Sequence, residues 1–141
     1  MIRWPARLLA CLLLMAPASA AEDAVNDIDT VYVRNFFNEM VTGIGAQETK
    51  CSTDVREQVQ SREMRVACAT FAGEFQHFET RWNIQLLRIE AAREFAGMQT
   101  HPVAVPQTAW EHSGEGHARI YRVGDAALGI RYAPGELLMV W

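Results

Sequence analysis

Lysine is nearly absent from this chain: Lys50 stands alone, and the other basic residues are arginines. Arginine offers a fork of hydrogen-bond donors rather than a point charge, although composition can cause this bias without any role. Seventeen acidic residues outnumber the thirteen basic ones, and an acidic protein repels phosphate backbones, which argues against nucleic acid as a partner. Local catalytic signatures are also missing. No G-x-S-x-G elbow, glycine-rich phosphate loop, H-E-x-x-H helix or C-x-x-C pair occurs. That excludes enzymes that carry such signatures, though not a triad assembled from distant positions. There is no internal repeat, low-complexity tract or long linker, and no apolar run spans a ~30 Å hydrocarbon layer.

The longest apolar run, Leu8 to Met15, instead belongs to a leader. Arg3 and Arg7 precede it, and Ala18-Ser19-Ala20 follows with the small side chains that a signal peptidase requires. Residues 1–20 therefore read as an export signal cleaved after Ala20, giving a periplasmic or secreted protein. Leu8-Leu9-Ala10-Cys11 also fits a lipobox, which would anchor the chain through Cys11. Pro5 breaks the apolar stretch ahead of it, however, and Leu12 to Met15 would fall on the wrong side of that cut. The reading is a soluble form without a transmembrane segment.

Without residues 1–20 the 141-residue chain retains 121 residues, one domain's worth. Losing Arg3 and Arg7 takes the net charge from −4 to −6. Losing Cys11 leaves Cys51 and Cys68, with sixteen residues between them. An isolated pair in an oxidising compartment reads as a structural disulfide, which stabilises by about 3 kcal/mol through loop closure.

Residues 21–27 look like a polar lead-in. Ile28, Val31, Tyr32, Phe36, Met40 and Ile44 then recur at helical spacing, which predicts a helix over about 29–43. Asp27 or Asp29 would cap it, and Gly43 or Gly45 would end it. Ser52, Thr53 and Asp54 offer caps for a short helix that carries Val55 and Val59. From Met64 to Phe71 the period changes to two: Met64, Val66, Cys68 and Thr70 on one strand face, Arg65, Ala67, Ala69 and Phe71 on the other. Continuous helix is the alternative there, because residues 57–65 include good helix formers. Phe75, Phe78, Trp82, Leu86 and Ile89 then mark a long helix over 74–95, with Gly97 as its stop.

The last third reads as sheet. Val103 to Trp110 suggests an irregular edge strand restricted by Pro102 and Pro106. Gly124-Asp125 fits a two-residue hairpin and Pro134-Gly135 a type II turn. Those turns pair Tyr121 with Leu128, Tyr132 with Leu137 and Ile130 with Met139. One face then carries Tyr121, Val123, Leu128, Ile130, Tyr132, Leu137, Met139 and Trp141, and should pack on the long helix. The other carries Ile120, Arg122, Gly129, Arg131, Leu138 and Val140. The class is α+β, a single domain over 28–141 that ends in an antiparallel meander. This element order is similar to the cone-shaped folds of the nuclear-transport-factor and ketosteroid-isomerase kind, in which a curved sheet wraps a long helix. The similarity lies in element order and involves no shared motif, and such folds host enzymes and binding modules alike.

The densest polar group is Glu111-His112-Ser113-Gly114-Glu115-Gly116-His117. His112, His117, Glu111 and Glu115 have the donor chemistry for a zinc-like ion, with His101 or His77 to complete the set, although a polar inter-strand connection would look the same. His77, three residues from Glu74 and four from Arg81, is an acid–base candidate or a solvated helix face. Arg122 and Arg131 share a sheet face and form a candidate recognition patch for an acidic partner, or else pair with local glutamates. No cofactor is implied, and no catalytic residue is assigned. Two functions follow. The first is an exported, non-catalytic accessory protein that recognises a protein or an envelope component. The second is a small-molecule-binding or enzymatic cavity between the meander and the long helix.

Overall fold

The computed structural model describes residues 23–97 and 104–141. The leader, Cys11 and His101 lie outside the described residues. The chain forms α1 (Asp23–Ile44), β1 (Gln47–Thr49), α2 (Thr53–Gln60), β2 (Val66–Thr70) and α3 (Phe75–Phe95). It continues through β3 (Ala104–Pro106), β4 (Glu111–Ser113), β5 (Gly116–Val123), β6 (Ala126–Ala133) and β7 (Glu136–Val140). The fold is α+β. The strands make one antiparallel sheet in the order β1-β2-β7-β6-β5-β3, with β4 also paired to β5.

The meander adopts the register its turns dictate. Tyr121 pairs with Leu128, Tyr132 with Leu137 and Ile130 with Met139. Gly124 and Gly135 take positive φ values of 60° and 86°, as their turns require. Because side chains alternate, that register sends Tyr121, Val123, Leu128, Ile130, Tyr132, Leu137 and Met139 into one buried cluster. Ile120, Leu138 and Val140 enter a second cluster on the opposite face.

The first cluster packs against α1 and α3. The long helix α3 contributes the buried Phe78 and Trp82, while α1 contributes Val33, Phe36, Phe37, Met40, Val41 and Ile44. Of the two helices, α1 thus supplies more of the buried core than α3. It also starts at Asp23, inside the expected lead-in, so Asp27 and Asp29 lie within the helix rather than at its cap. Gly45 ends it with φ 79°.

On the other face α2 covers the second cluster with Val55 and Val59. Ser52 caps α2, its Oγ accepting from the Val55 amide at 3.3 Å. The Cys51–Cys68 disulfide ties that cap to the middle of β2. The strand reading of this region holds for Val66–Thr70, and the helix alternative stops at Gln60. Cys68 and Val66 belong with α2, whereas Ala67, Ala69 and Phe71 join the main core.

Two short strands were not anticipated. β1 extends the sheet beyond β2, and β4 converts the expected polar loop into a hairpin with β5. Both have three residues, too few for a period to show in sequence. β3 and β4 lie along the same edge of β5, interrupted at 107–110. At the break the Thr108 hydroxyl accepts from the Ile120 amide at 3.0 Å, in place of a ladder bond.

Candidate functional site

An open groove of about 1260 Å³ lies between α1, the second half of α3 and the β3–β5 edge of the sheet. Its origin is visible in the residues of α3. Phe78 and Trp82, in the first half, are buried against Tyr132, Tyr121 and Phe36. Leu86 and Ile89, one and two turns further on, are shorter and only half-buried. Beyond them the helix runs on with Ala91 and Ala92 exposed. The aromatic half is therefore docked on the sheet, and the aliphatic half stands away from it.

The two helices are held together where the groove begins. Gln85 Nε2 donates to the Glu39 carbonyl at 3.0 Å. A Cβ on Gly43 would lie 1.8 Å from Gln85 Cδ, so glycine makes room for that side chain beside α1. Arg81 Nη1 donates to the Ile44 carbonyl at 3.4 Å. From there the groove follows α3 from Asn83 to Ala96, roughly 20 Å of helix.

Its apolar lining comes from Phe36 on α1, Leu86 and Ile89 on α3, and Ala104, Pro106 and Val123 on the sheet side. Asn35, Asn38, Glu39, Arg88, Glu90, Arg93 and Arg119 are among the polar lining, and among the described residues the lining includes no histidine or cysteine. Among the described residues Arg119 is the one basic group lining the sheet side. Its Nε donates to the Thr108 carbonyl at 2.8 Å, and its Nη1 to the Tyr121 hydroxyl at 3.3 Å. The guanidinium carbon sits 5.7 Å from the Trp110 ring centre and 5.3 Å from that of Tyr121. The same Tyr121 hydroxyl accepts from Trp82 Nε1 at 2.9 Å, and burial raises its pKa despite those two donors.

The other sequence candidates fall elsewhere. Arg122 is exposed, whereas Arg131 is buried, with only 5% of its surface accessible. Arg131 Nη2 donates to the Ser113 carbonyl at 2.8 Å, and its Nε to Ser113 Oγ at 3.3 Å. Burial lowers the pKa of this guanidinium, with Glu136 and Glu115 opposing the shift. The two arginines do share a face, but Arg122 pairs with Ala127, four positions before Arg131 on β6. At ~3.3 Å per residue that is roughly 13 Å along the strand. The expected patch is not formed, because Arg131 turns onto the β4–β5 hairpin instead of toward solvent.

The strand pleat also divides the metal candidates. His112 and His117 are directly paired, with ring centres 4.5 Å apart. Glu111 pairs with Ala118 and so projects from the opposite face, while Glu115 sits in the turn. Among the described residues no group of three or more His, Cys, Asp or Glu is placed to hold a metal ion. His117 stacks on Phe75 at 3.7 Å, and desolvation followed by repulsion from His112 lowers its pKa, with Glu79 opposing. His77, the acid–base candidate, is exposed and stacked on Phe71. The sequence places a cavity only in general terms, between the meander and the long helix. Tyr121, Tyr132 and Trp82 are core, and the lining comes from residues further along α3. The signal that marks them is the change from aromatic to aliphatic along one helical stripe.

No protein-family model, curated protein or solved structure matches this chain.

Proposed function

We propose that this protein is exported and serves as a non-catalytic binding protein whose ligand, an elongated and mainly apolar small molecule, lies in the groove between α1, α3 and the β3–β5 edge. The observation that carries this reading is the groove: about 1260 Å³ of space that is open to solvent and apolar along its length. Ligand sites typically occupy ~300–1,000 Å³ and combine an apolar lining with a few convergent polar groups. The exported location rests on the leader, and the Cys51–Cys68 bridge agrees with an oxidising compartment.

The test is extraction of the mature protein, purified without denaturation from its own envelope fraction, followed by mass spectrometry of the released small molecules. Ala92→Trp, at an exposed helical position on the groove wall, should obstruct the groove and sharply reduce co-purification while leaving the fold intact. The same molecules recovered equally from wild type and A92W would refute the proposal.

A second reading, recognition of a protein or envelope component, is supported by the last residue of the same helix. Phe95 is 96% exposed and does not line the groove, a high exposure for an aromatic residue on a folded domain. A protein captured at high salt by wild type but not by Phe95→Gln would favour this reading.

A further inference from the structure

We infer that the ligand of the groove carries an anionic group, such as a carboxylate on an apolar body, and that Arg119 is the residue that receives it; this rests on the groove being a small-molecule site. Arg119 lies on β5 in register with Ile130, so its side chain emerges on the same sheet face as Tyr121 and Val123, toward the helices. It is half-buried and lines the groove. Taking a guanidinium out of water is costly unless an anion compensates it. Among the described residues Arg119 has no carboxylate partner.

What Arg119 does have is positioning. The edge strand breaks after β3, and the break turns the Thr108 carbonyl onto Nε. The Tyr121 hydroxyl, itself tied to Trp82, takes Nη1. The rings of Trp110 and Tyr121 flank the cation. Two neutral oxygens and two aromatic rings hold the fork in place without cancelling its charge. No hydrogen bond within the protein engages Nη2 among the described residues. A fixed, uncompensated guanidinium beside Val123, Ala104 and Pro106 is the arrangement that recognises an amphiphilic acid: the apolar body lies along the helices, and the acid end meets the fork. Glu39 and Glu90, on the helical walls, would repel an anionic group there, which leaves the Arg119 side of the groove as the place for the acid end.

The experiment compares three probes of equal chain length, below their micelle concentrations, by calorimetry on the mature protein. The probes are dodecanoate, dodecanol and dodecyltrimethylammonium. Dodecanoate should bind about 10- to 100-fold more tightly than dodecanol, the range expected for a charge-assisted hydrogen bond, and the cation should bind weakest. Arg119→Gln should remove that preference while leaving dodecanol affinity within about twofold, and Arg119→Lys should restore part of it. Equal binding of dodecanoate and dodecanol to the wild type overturns the inference, whatever the variants do. A dodecanoate preference that survives R119Q overturns the assignment to this residue. Ala92→Trp separates the two levels of the argument. If it abolishes binding of both chains while wild type shows no preference, the groove stands and the anionic ligand fails. If neither chain binds wild type, or A92W binds as well as wild type, the groove reading itself fails and the inference goes with it.

Discussion

Replacing Arg131 with glutamine separates a structural arginine from a recognition arginine. Arg131 is 5% exposed and spans from β6 to the β4–β5 hairpin, where it donates twice to Ser113, a residue only 2% exposed. The bond to the Ser113 carbonyl, at 2.8 Å, is charge-assisted and is the stronger of the two. A hydrogen bond of that kind contributes about 1.5–3 kcal/mol, and a buried carbonyl left unpaired costs ~1–3 kcal/mol. Against this, removing a buried charge relieves its desolvation. A net loss of about 2 kcal/mol follows for R131Q, equivalent to a fall in Tm of roughly 6–10 °C for a domain of this size. Arg122, exposed and without such bonds, should tolerate glutamine to within about 0.5 kcal/mol. Urea unfolding of each variant, followed by tryptophan fluorescence and by circular dichroism, measures both. If R131Q unfolds within 0.5 kcal/mol of wild type, or if R122Q is the more damaging change, the structural role given to Arg131 is refuted.

Phe78→Ala should cost about 3–5 kcal/mol, since Phe78 is fully buried and stacks on Tyr132 at 4.1 Å; calorimetry of the variant checks this. Cys51→Ser combined with Cys68→Ser should lower stability by about 3 kcal/mol through the lost loop constraint, and reduced wild type should match the double variant in urea. The His117 pKa is depressed by burial and by His112, so the folded state favours the neutral ring. That stability is present above the unfolded value of 6.5 and is lost as pH falls through the folded value. Unfolding measured between pH 7.5 and 5 should therefore show a decline that is shallower in His112→Gln, where the repulsion is gone, and unchanged slopes would contradict the pairing of the two rings.

The local parts of the fold were legible because their causes are local. The type II turn at Pro134-Gly135 and the hairpin at Gly124-Asp125 each tolerate one geometry, and with alternation they specify the meander residue by residue. Ser52 caps α2 through an atom of its own side chain, and the change of period after Met64 announces β2. The cysteine pair needed only the count of thiols and the compartment. Less was legible of the site. His112 and Glu111 are adjacent in sequence and look like co-ligands, but whether they point together depends on the segment being strand or loop. Three residues of β4 carry too little pattern to decide that.

What the chain alone determined is therefore which faces of each element are apolar, where the meander turns, and which two thiols join. Tertiary structure decided how those faces stack: that α1 supplies more of the core than α3, that Arg131 is buried while Arg122 is exposed, and that the second half of α3 leaves a groove with Arg119 on its sheet side. Periodicity is set by neighbours a few residues apart. The depth of a side chain or the width of a gap depends on elements far apart in the chain, such as Arg119 and α3, and no short window along the sequence contains both.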